Sequence, residues 1–549
     1  MAGFHVENFG CRAARADGEA VGGHLRAAGH CSEPPADADV VIVNTCSVTA
    51  EADRAARAFI RRAHRQNPAA RIVVTGCYAQ RAPRELAVLP GVAAVVGNSH
   101  KALTPEIALA LAEELWSASG HDFSRAVNAA KSTWALAPEA GFTGDWTAVH
   151  SSSERNAAAT ALVPVQSLLV GGGPAPIWAD DRFAHSFLEE AQLTPGAQTR
   201  PNLKIQEGCG NRCTFCVIPS TRGPSKSLPH AVVLRQVEGF VAAGGNELVL
   251  SGINLGRWGR DLADSSCGLG GRDSCSPTLA IEENRKDGAP SLGGAYGPGS
   301  TPRTLAALVR QILEQTGLPR LRLSSIEPMD WNADLIGLMA EFGGSRLARH
   351  AHLPLQSGSD AVLRRMHRRY RPWHYAEKVE ALRRAAGPEL TLGADVMAGF
   401  PGETDAEFEE TVALIEALPF GYLHLFPFSP RPGTPGWALH AERPVPAAVV
   451  EERMAVLREL AAKKSNAHRR CFVGRELEAI TLHTPSELDA RGCTSALTEN
   501  FLPVQIAGRL SANRLVRVRV TGLGAEGTLK AGMAGPVRGA ASTAGCEPA

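Results

Sequence analysis

Six of the twelve cysteines form two sets of three. Cys209, Cys213 and Cys216 lie within "CGNRCTFC", at spacing C-x3-C-x2-C. Structural zinc takes four ligands, usually as two close pairs. Cubane iron-sulfur clusters usually take four cysteines. Three thiolates hold three irons of a 4Fe–4S cube and leave the fourth open to a non-protein ligand, much as catalytic zinc keeps an open position. Phe215 would shield one side of such a cluster. The alternative is a zinc loop completed by a distant residue. The second set is dispersed: Cys11 in "NFGCR", Cys46 in "VNTCSV" and Cys77 in "VTGCYA". Cys46 and Cys77 end apolar runs. If those runs are parallel strands, their ends converge at one sheet edge and the three thiols could hold a second cluster. The alternative is three unrelated buried cysteines.

These positions require a scaffold. Residues 1–112 alternate β-branched runs (Val40–Cys46, Arg71–Cys77, "VAAVVGN") with a helical pattern at Glu51–Arg65, which predicts a parallel α/β sheet covered by helices. Residues 113–194 read as a low-complexity linker. Residues 195–440 return to regular β/α alternation, with strands at Glu247–Gly252, Leu321–Pro328, Ala351–Ser357, Leu392–Phe400 and Tyr422–Ser429 and helices at Leu305–Gln315 and Phe408–Leu418. That is the pattern of a full or partial parallel barrel. An insertion at 265–301, rich in Gly and Ser and carrying Cys267 and Cys275, interrupts it. Metal binding there would lack a fixed geometry. A helical connector spans 441–471, with one long helix near Val449–Arg470, and 472–540 has the short alternating runs of a small β-barrel. The run "NLKIQEG" before Cys209 places the three-cysteine loop at a strand's C-terminal end, where parallel barrels carry their chemistry.

At 549 residues the chain is too long for one core. A net charge of +1 excludes binding of nucleic acid by bulk charge and leaves only local basic surfaces. No apolar run is long enough to span a membrane and the first ten residues do not read as a secretory leader, so a soluble, cytoplasmic protein without membrane contact is expected. Cysteines spread this thinly point to ligands or redox chemistry rather than to a disulfide framework.

The C-x3-C-x-aromatic-C loop after a barrel strand resembles the radical S-adenosylmethionine (SAM) enzymes. The resemblance implies that SAM chelates the open iron and that an electron from the cluster cleaves it to a 5′-deoxyadenosyl radical. With Cys11, Cys46 and Cys77 the chain is most similar to the radical SAM methylthiotransferase family, whose three N-terminal cysteines bind an auxiliary cluster. "ALTENFLPVQI" resembles the opening of that family's RNA-binding TRAM domain. The flanks "NTCSVTAEADRAARAFIRRA", "RLSSIEP", "HLPLQSGSDAVLRRMHRRY" and "LHLFPFSPRPGTP" look most like the MtaB-type branch, which acts on N6-threonylcarbamoyladenosine beside the tRNA anticodon. The segment after Cys11, "GCRAARADGEAV", departs from that branch's usual Asn-and-acid pattern.

The resemblance implies two 4Fe–4S clusters and two uses of SAM, one to methylate sulfur and one to remove hydrogen from C2 of the adenine. It also implies a tRNA anticodon stem-loop as partner, with a reductant and a sulfur donor. The rival substrates are N6-isopentenyladenosine in tRNA and a ribosomal-protein aspartate; an iron-sulfur electron carrier is the rival outside the enzymes. By the same resemblance Glu247, Ser325, Glu327, Gln356, Ser357, Asp395, Gly399, Gly402 and Glu403 line the SAM site. Each could instead be a solvated loop group or a helix cap. No catalytic residue beyond the cluster ligands is assigned. For RNA, Arg364–Tyr375 interleaves five arginines with Tyr370, Trp373 and Tyr375, and 509–538 holds six Lys or Arg against Glu526. A solvated charged surface is the plain alternative for both.

Overall fold

The computed structural model describes residues 2–118, 174–187, 193, 199–262, 303–524 and 527–534. The insertion at 265–301, Cys267 and Cys275, most of the 113–194 segment, and the basic chain end with Glu526 and Arg538 lie outside the described residues.

The N-terminal unit is a parallel sheet in the order β2 (Cys31–Ser32), β1 (Gly3–Asn8), β3 (Val40–Thr45), β4 (Arg71–Gly76), β5 (Val92–Gly97), β6 (Ile177–Trp178). Its β-branched strands are buried on both faces. Ile42 and Val73 pack with Leu25 and Leu111 on one side. Val41 and Val74 pack with Phe59 and Ile60 on the other. β6 corrects the linker reading. Val95 pairs with Ile177, so residues assigned by composition to a linker return to complete the sheet edge. Two residues give too short a periodic signal to be seen in advance.

Six parallel strands form the central unit: β7 (Asn202–Glu207), β9 (Glu247–Gly252) and β10 (Arg320–Leu323), then β11 (His350–His352), β12 (Thr391–Ala398) and β13 (Phe420–Pro427). The short β8 (Lys226–Ser227) pairs antiparallel to β7. A bridge between Leu321 and Leu347 joins the two halves into a partial barrel. The strands alternate. Leu203, Leu250, Leu321, Leu353, Ala394 and Phe420 point outward into the helical layer. Lys204, Glu247, Arg322, His352, Asp395 and Tyr422 occupy the opposite register positions, so the barrel lumen is polar.

The helix Ala447–Arg470 leads to a closed barrel of β14 (Glu476–Thr481), β15 (Cys493–Thr498), β16 (Pro503–Ala507), β18 (Leu529–Met533) and β17 (Leu515–Leu523). Its loop at 499–501 plugs the end of the partial barrel where the strands begin. Glu499 pairs with Arg349 at 2.6 Å, Asn500 donates to the Glu389 carbonyl at 3.0 Å, and Phe501 lies 4.3 Å from the His350 ring. Among the described residues no helix is long and apolar enough to cross a membrane.

Candidate active site

β1, β3 and β4 run parallel in direct register, so their C-terminal ends share one edge. Cys46 and Cys77 each follow the last residue of a strand, and Cys11 follows β1 after a short turn. At Gly10, with φ +103°, an added Cβ would come within 2.6 Å of the Cys46 sulfur. The Cys11 turn therefore crosses directly over Cys46, and only glycine fits. N–H groups point at the sulfurs: Val48 N at 3.5 Å from Cys46, and Asn98 Nδ2 at 3.4 Å and Arg222 Nε at 3.2 Å from Cys77. Burial pushes the Cys46 thiol up to about 12, and the neighbouring Cys77 and Cys11 add to the shift.

The second triad follows β7. The Asn211 N–H lies 3.4 Å and Asn254 Nδ2 3.5 Å from the Cys209 sulfur. The Ile218 N–H lies 3.4 Å from Cys216 and Arg368 Nη1 3.3 Å from Cys213. Burial pushes the Cys216 thiol up to about 12 as well. All six cysteines are free.

These sulfurs fit an iron-sulfur cube better than a single zinc ion. Zinc–sulfur bonds of about 2.3 Å set tetrahedral sulfurs only about 3.8 Å apart. Among the described residues, three ligand atoms mutually within 4.8 Å occur at His352, Asp395 and His424 but in neither cysteine triad. The buried charge beside Cys77 suits bound thiolates. Asp17 and Glu207 face Lys101, Lys204 and Arg222, two carboxylates against three cations, with every side chain at most 3% exposed. A thiolate cluster at Cys77 would supply the missing negative charge. Burial opposes the Arg222 charge, but Cys77, Glu207 and Asp17 hold its pKa well above the ordinary value.

That network also joins the two triads. Arg222 Nη1 bonds Glu207 at 2.6 Å, and Glu207 lies two residues before Cys209. On the other flank Arg431, beyond β13, bonds Asp53 at 2.7 Å, and the Ala50 N–H donates to Ser429 Oγ at 3.2 Å. The N-terminal unit thus contacts both edges of the partial barrel.

The residues expected around SAM divide. Glu327 and Ser325 sit just beyond β10, at the cysteine end, and Glu327 accepts from Arg368 at 2.5 Å. Gln356 lies at φ +63° with its Oε1 buried and without a hydrogen-bond partner. Asp395 faces the lumen, 3.2 Å from both His352 Nε2 and His424 Nδ1. Burial would raise its pKa, yet those two histidines hold it below the ordinary carboxylate range. Others are drawn elsewhere. Glu247 begins β9, at the opposite end from the cysteines, where Arg322 at 2.9 Å, Arg320 at 3.2 Å and Arg200 at 3.5 Å share its carboxylate. It is a buried structural anion rather than a free partner for an amine. The Ser357 hydroxyl faces away, 3.1 Å from Thr411 Oγ1. Gly399, Gly402 and Glu403 form a tight turn, in which Glu403 accepts from the Gly399 N–H at 2.8 Å and from Arg453 at 2.8 Å.

The RNA readings divide too. Tyr370 and Tyr375 are fully buried and donate to the carbonyls of Leu355 and Leu353, so neither ring can stack on a base. Arg365 pairs with Glu407 at 2.7 Å. Arg368 serves the cluster loop instead. On β17, Arg517 and Arg519 stay exposed. Sequence reading missed Arg222, Arg368, Tyr422, His424 and the lumen as a whole. The available signal was the period-two alternation of charged and aromatic residues in "RLRLSS", "HAHLPL" and "YLHLF".

Two family descriptions match the chain: Uncharacterized protein family UPF0004 over residues 3–97 and the Radical SAM superfamily over 203–415. The Threonylcarbamoyladenosine tRNA methylthiotransferase MtaB of Treponema pallidum is 30% identical over 96% of this chain and 99% of its own. The Thermotoga maritima protein of the same name is 28% identical over 95% of each chain. The tRNA-2-methylthio-N(6)-dimethylallyladenosine synthase of a Parafrankia strain is 30% identical over 96% of this chain and 86% of its own. Two triads of three cysteines, each on a loop at the C-terminal end of parallel strands, together with near full-length likeness to these enzymes, place the chain in the radical SAM methylthiotransferase family.

Proposed function

We propose that the protein methylthiolates tRNA at C2 of N6-threonylcarbamoyladenosine, at position 37 next to the anticodon. The observation that carries this reading is the pairing of two three-cysteine sets, joined through Arg222 and Glu207. An electron carrier needs neither a second incomplete ligand set nor a polar lumen. Cys209, Cys213 and Cys216 would hold the cluster that binds SAM; Cys11, Cys46 and Cys77 would hold the auxiliary cluster. When bound, SAM and the clusters supply the radical and sulfur chemistry that an unactivated aromatic C–H requires. The chain orients these groups. Arg368 and Asn254 direct N–H groups at the first cluster's sulfurs, and Arg222 and Asn98 do so at the second. The N-terminal unit is bonded to both edges of the barrel and carries the auxiliary triad toward the first one. The exposed arginines of β17 suit contact with the tRNA backbone.

The substrate reading is supported by the near full-length likeness to the MtaB enzymes. Tandem mass spectrometry of tRNA nucleosides tests it in a deletion strain with and without the cloned gene. Loss and restoration of 2-methylthio-N6-threonylcarbamoyladenosine is expected. Loss of the isopentenyladenosine product instead would redirect the assignment to the other branch.

A further inference from the structure

The lumen carries an arginine pair that neither cluster nor the SAM contacts use. Arg12 follows Cys11 directly and reaches out of its own unit. Its guanidinium lies 5.6 Å from the centre of the Phe501 ring and, among the described residues, takes no ion-pair partner. Arg322, from β10, lies 5.3 Å from the same ring. It is fully buried, and its Nη1 has no hydrogen-bond acceptor. Phe501 holds a left-handed backbone at φ +68°, fixed by its N–H to the Thr498 carbonyl at 3.0 Å. Arg322 already gives its Nε to Glu247 at 2.9 Å and its Nη2 to the Thr498 carbonyl at 3.2 Å, so Nη1 is its one free donor, and neither nearby carboxylate is free for Arg12. Glu247 is shared by Arg200, Arg320 and Arg322, and Asp395 is engaged by two histidines.

We propose that Arg12 and Arg322 form a carboxylate-binding site that reads the acid end of the substituent on the substrate adenine. This rests on the threonylcarbamoyladenosine reading above and names the residues that make it selective. A guanidinium fork matches a carboxylate in two parallel hydrogen bonds. Position supports the assignment. Arg12 is one residue, about 3.8 Å of backbone, from a ligand of the auxiliary triad, so a base presented there for sulfur transfer would place its N6 substituent within an arginine's reach. A dimethylallyl group offers no acceptor and would leave Arg322 Nη1 buried and unpaired and the half-buried Arg12 without an anion. Sites built to hydrogen-bond a substrate group reject analogues lacking it far more strongly than apolar pockets reject a misfit.

The test uses cluster-loaded full-length protein and anticodon stem-loop RNAs carrying N6-threonylcarbamoyladenosine, its neutral methyl ester, or N6-isopentenyladenosine. Binding is read by fluorescence anisotropy, and methylthio product by mass spectrometry. Wild type should bind the acid RNA at least about tenfold more tightly than the ester, as expected for hydrogen bonds to a charged group. Arg12→Gln should remove most of the acid RNA's advantage while weakening the ester RNA much less. Arg12→Lys, which keeps the charge but loses the fork, should fall between. Iron content and circular dichroism establish that each variant is folded and loaded. An acid-over-ester preference that survives undiminished in Arg12→Gln overturns the arginine assignment and leaves the substrate reading standing. Equal wild-type binding of acid and ester, with product still formed on the acid RNA, does the same. Product from wild type on the isopentenyl RNA alone overturns both.

Discussion

The two cysteine triads present the same set of ligands by different means. Cys209, Cys213 and Cys216 share one loop behind one strand, so their spacing is written into eight consecutive residues. Cys11, Cys46 and Cys77 sit behind three strands, and their spacing is set by the register of β1, β3 and β4. A one-loop site depends on local turns, whereas a three-strand site depends on the sheet that aligns it. Each triad also receives an N–H from one arginine, Arg368 at Cys213 and Arg222 at Cys77. Arg368 is matched by a single, partly exposed carboxylate. Arg222 belongs to a fully buried network that ties two units together. The auxiliary site should therefore be more sensitive to changes away from its ligands.

The largest expected effect is on iron. Anaerobically reconstituted protein should hold about eight irons, four per cluster. Replacing Cys209, Cys213 and Cys216 with Ala, or Cys11, Cys46 and Cys77 with Ala, should leave about four in each case. Unchanged iron in the second variant would dissolve the comparison.

Glycines sharpen it. Gly10→Ala would press a methyl group against Cys46 at positive φ and should cost the auxiliary cluster, again leaving about four irons. At Gly210, in the loop of the other triad, an added Cβ meets nothing within 4 Å. Gly210→Ala should load fully.

The arginines come next. Arg222→Met strips a buried cation from two carboxylates and should destabilise the loaded protein by about 3–5 kcal/mol in thermal or denaturant unfolding. Arg368→Met should cost less, because Glu327 keeps 23% of its side chain in solvent. Equal losses would mean that burial of the network is not what distinguishes the sites.

The smallest effect is on acid stability. Burial, helped by the charge of Arg469, lowers the His468 pKa to about 4, while its Nε2 lies 2.9 Å from Thr391 Oγ1. An unfolded histidine takes its proton at about pH 6.5. This contribution is present above about pH 6.5 and is lost as the pH falls toward 4, because the unfolded chain then binds a proton that the folded chain refuses. His468→Gln should flatten the unfolding midpoint across that window.

Much of this architecture is legible in the sequence. The β-branched runs of the first unit and "ELVLSG" announce strands because both of their faces, or their outward face, are apolar. The loop triad is legible because its chemistry is local. The lumen was not, because single polar residues such as Glu247 and Asp395 suggest separate ligand contacts, whereas a shared inner face emerges only when the strands curl into a barrel. Tyr370 and Tyr375 misled for the converse reason. Arginines around them suggested a surface, but burial of the rings, with their hydroxyls on backbone carbonyls, is a tertiary fact. Glu247 has the type of a ligand-binding acid, and only the approach of Arg320 and Arg322 from the neighbouring strand shows that it is already matched. β6 was hidden by its length.

The central claim is that the two triads divide the labour, and one assay tests it directly. The variant with Cys11, Cys46 and Cys77 changed to Ala is reduced anaerobically with SAM and threonylcarbamoyladenosine-bearing stem-loop RNA, after circular dichroism has established that it is folded. 5′-Deoxyadenosine and methylthio product are measured together. If the triads divide the labour, 5′-deoxyadenosine still forms and no methylthio product appears. Methylthio product from that folded variant would contradict it.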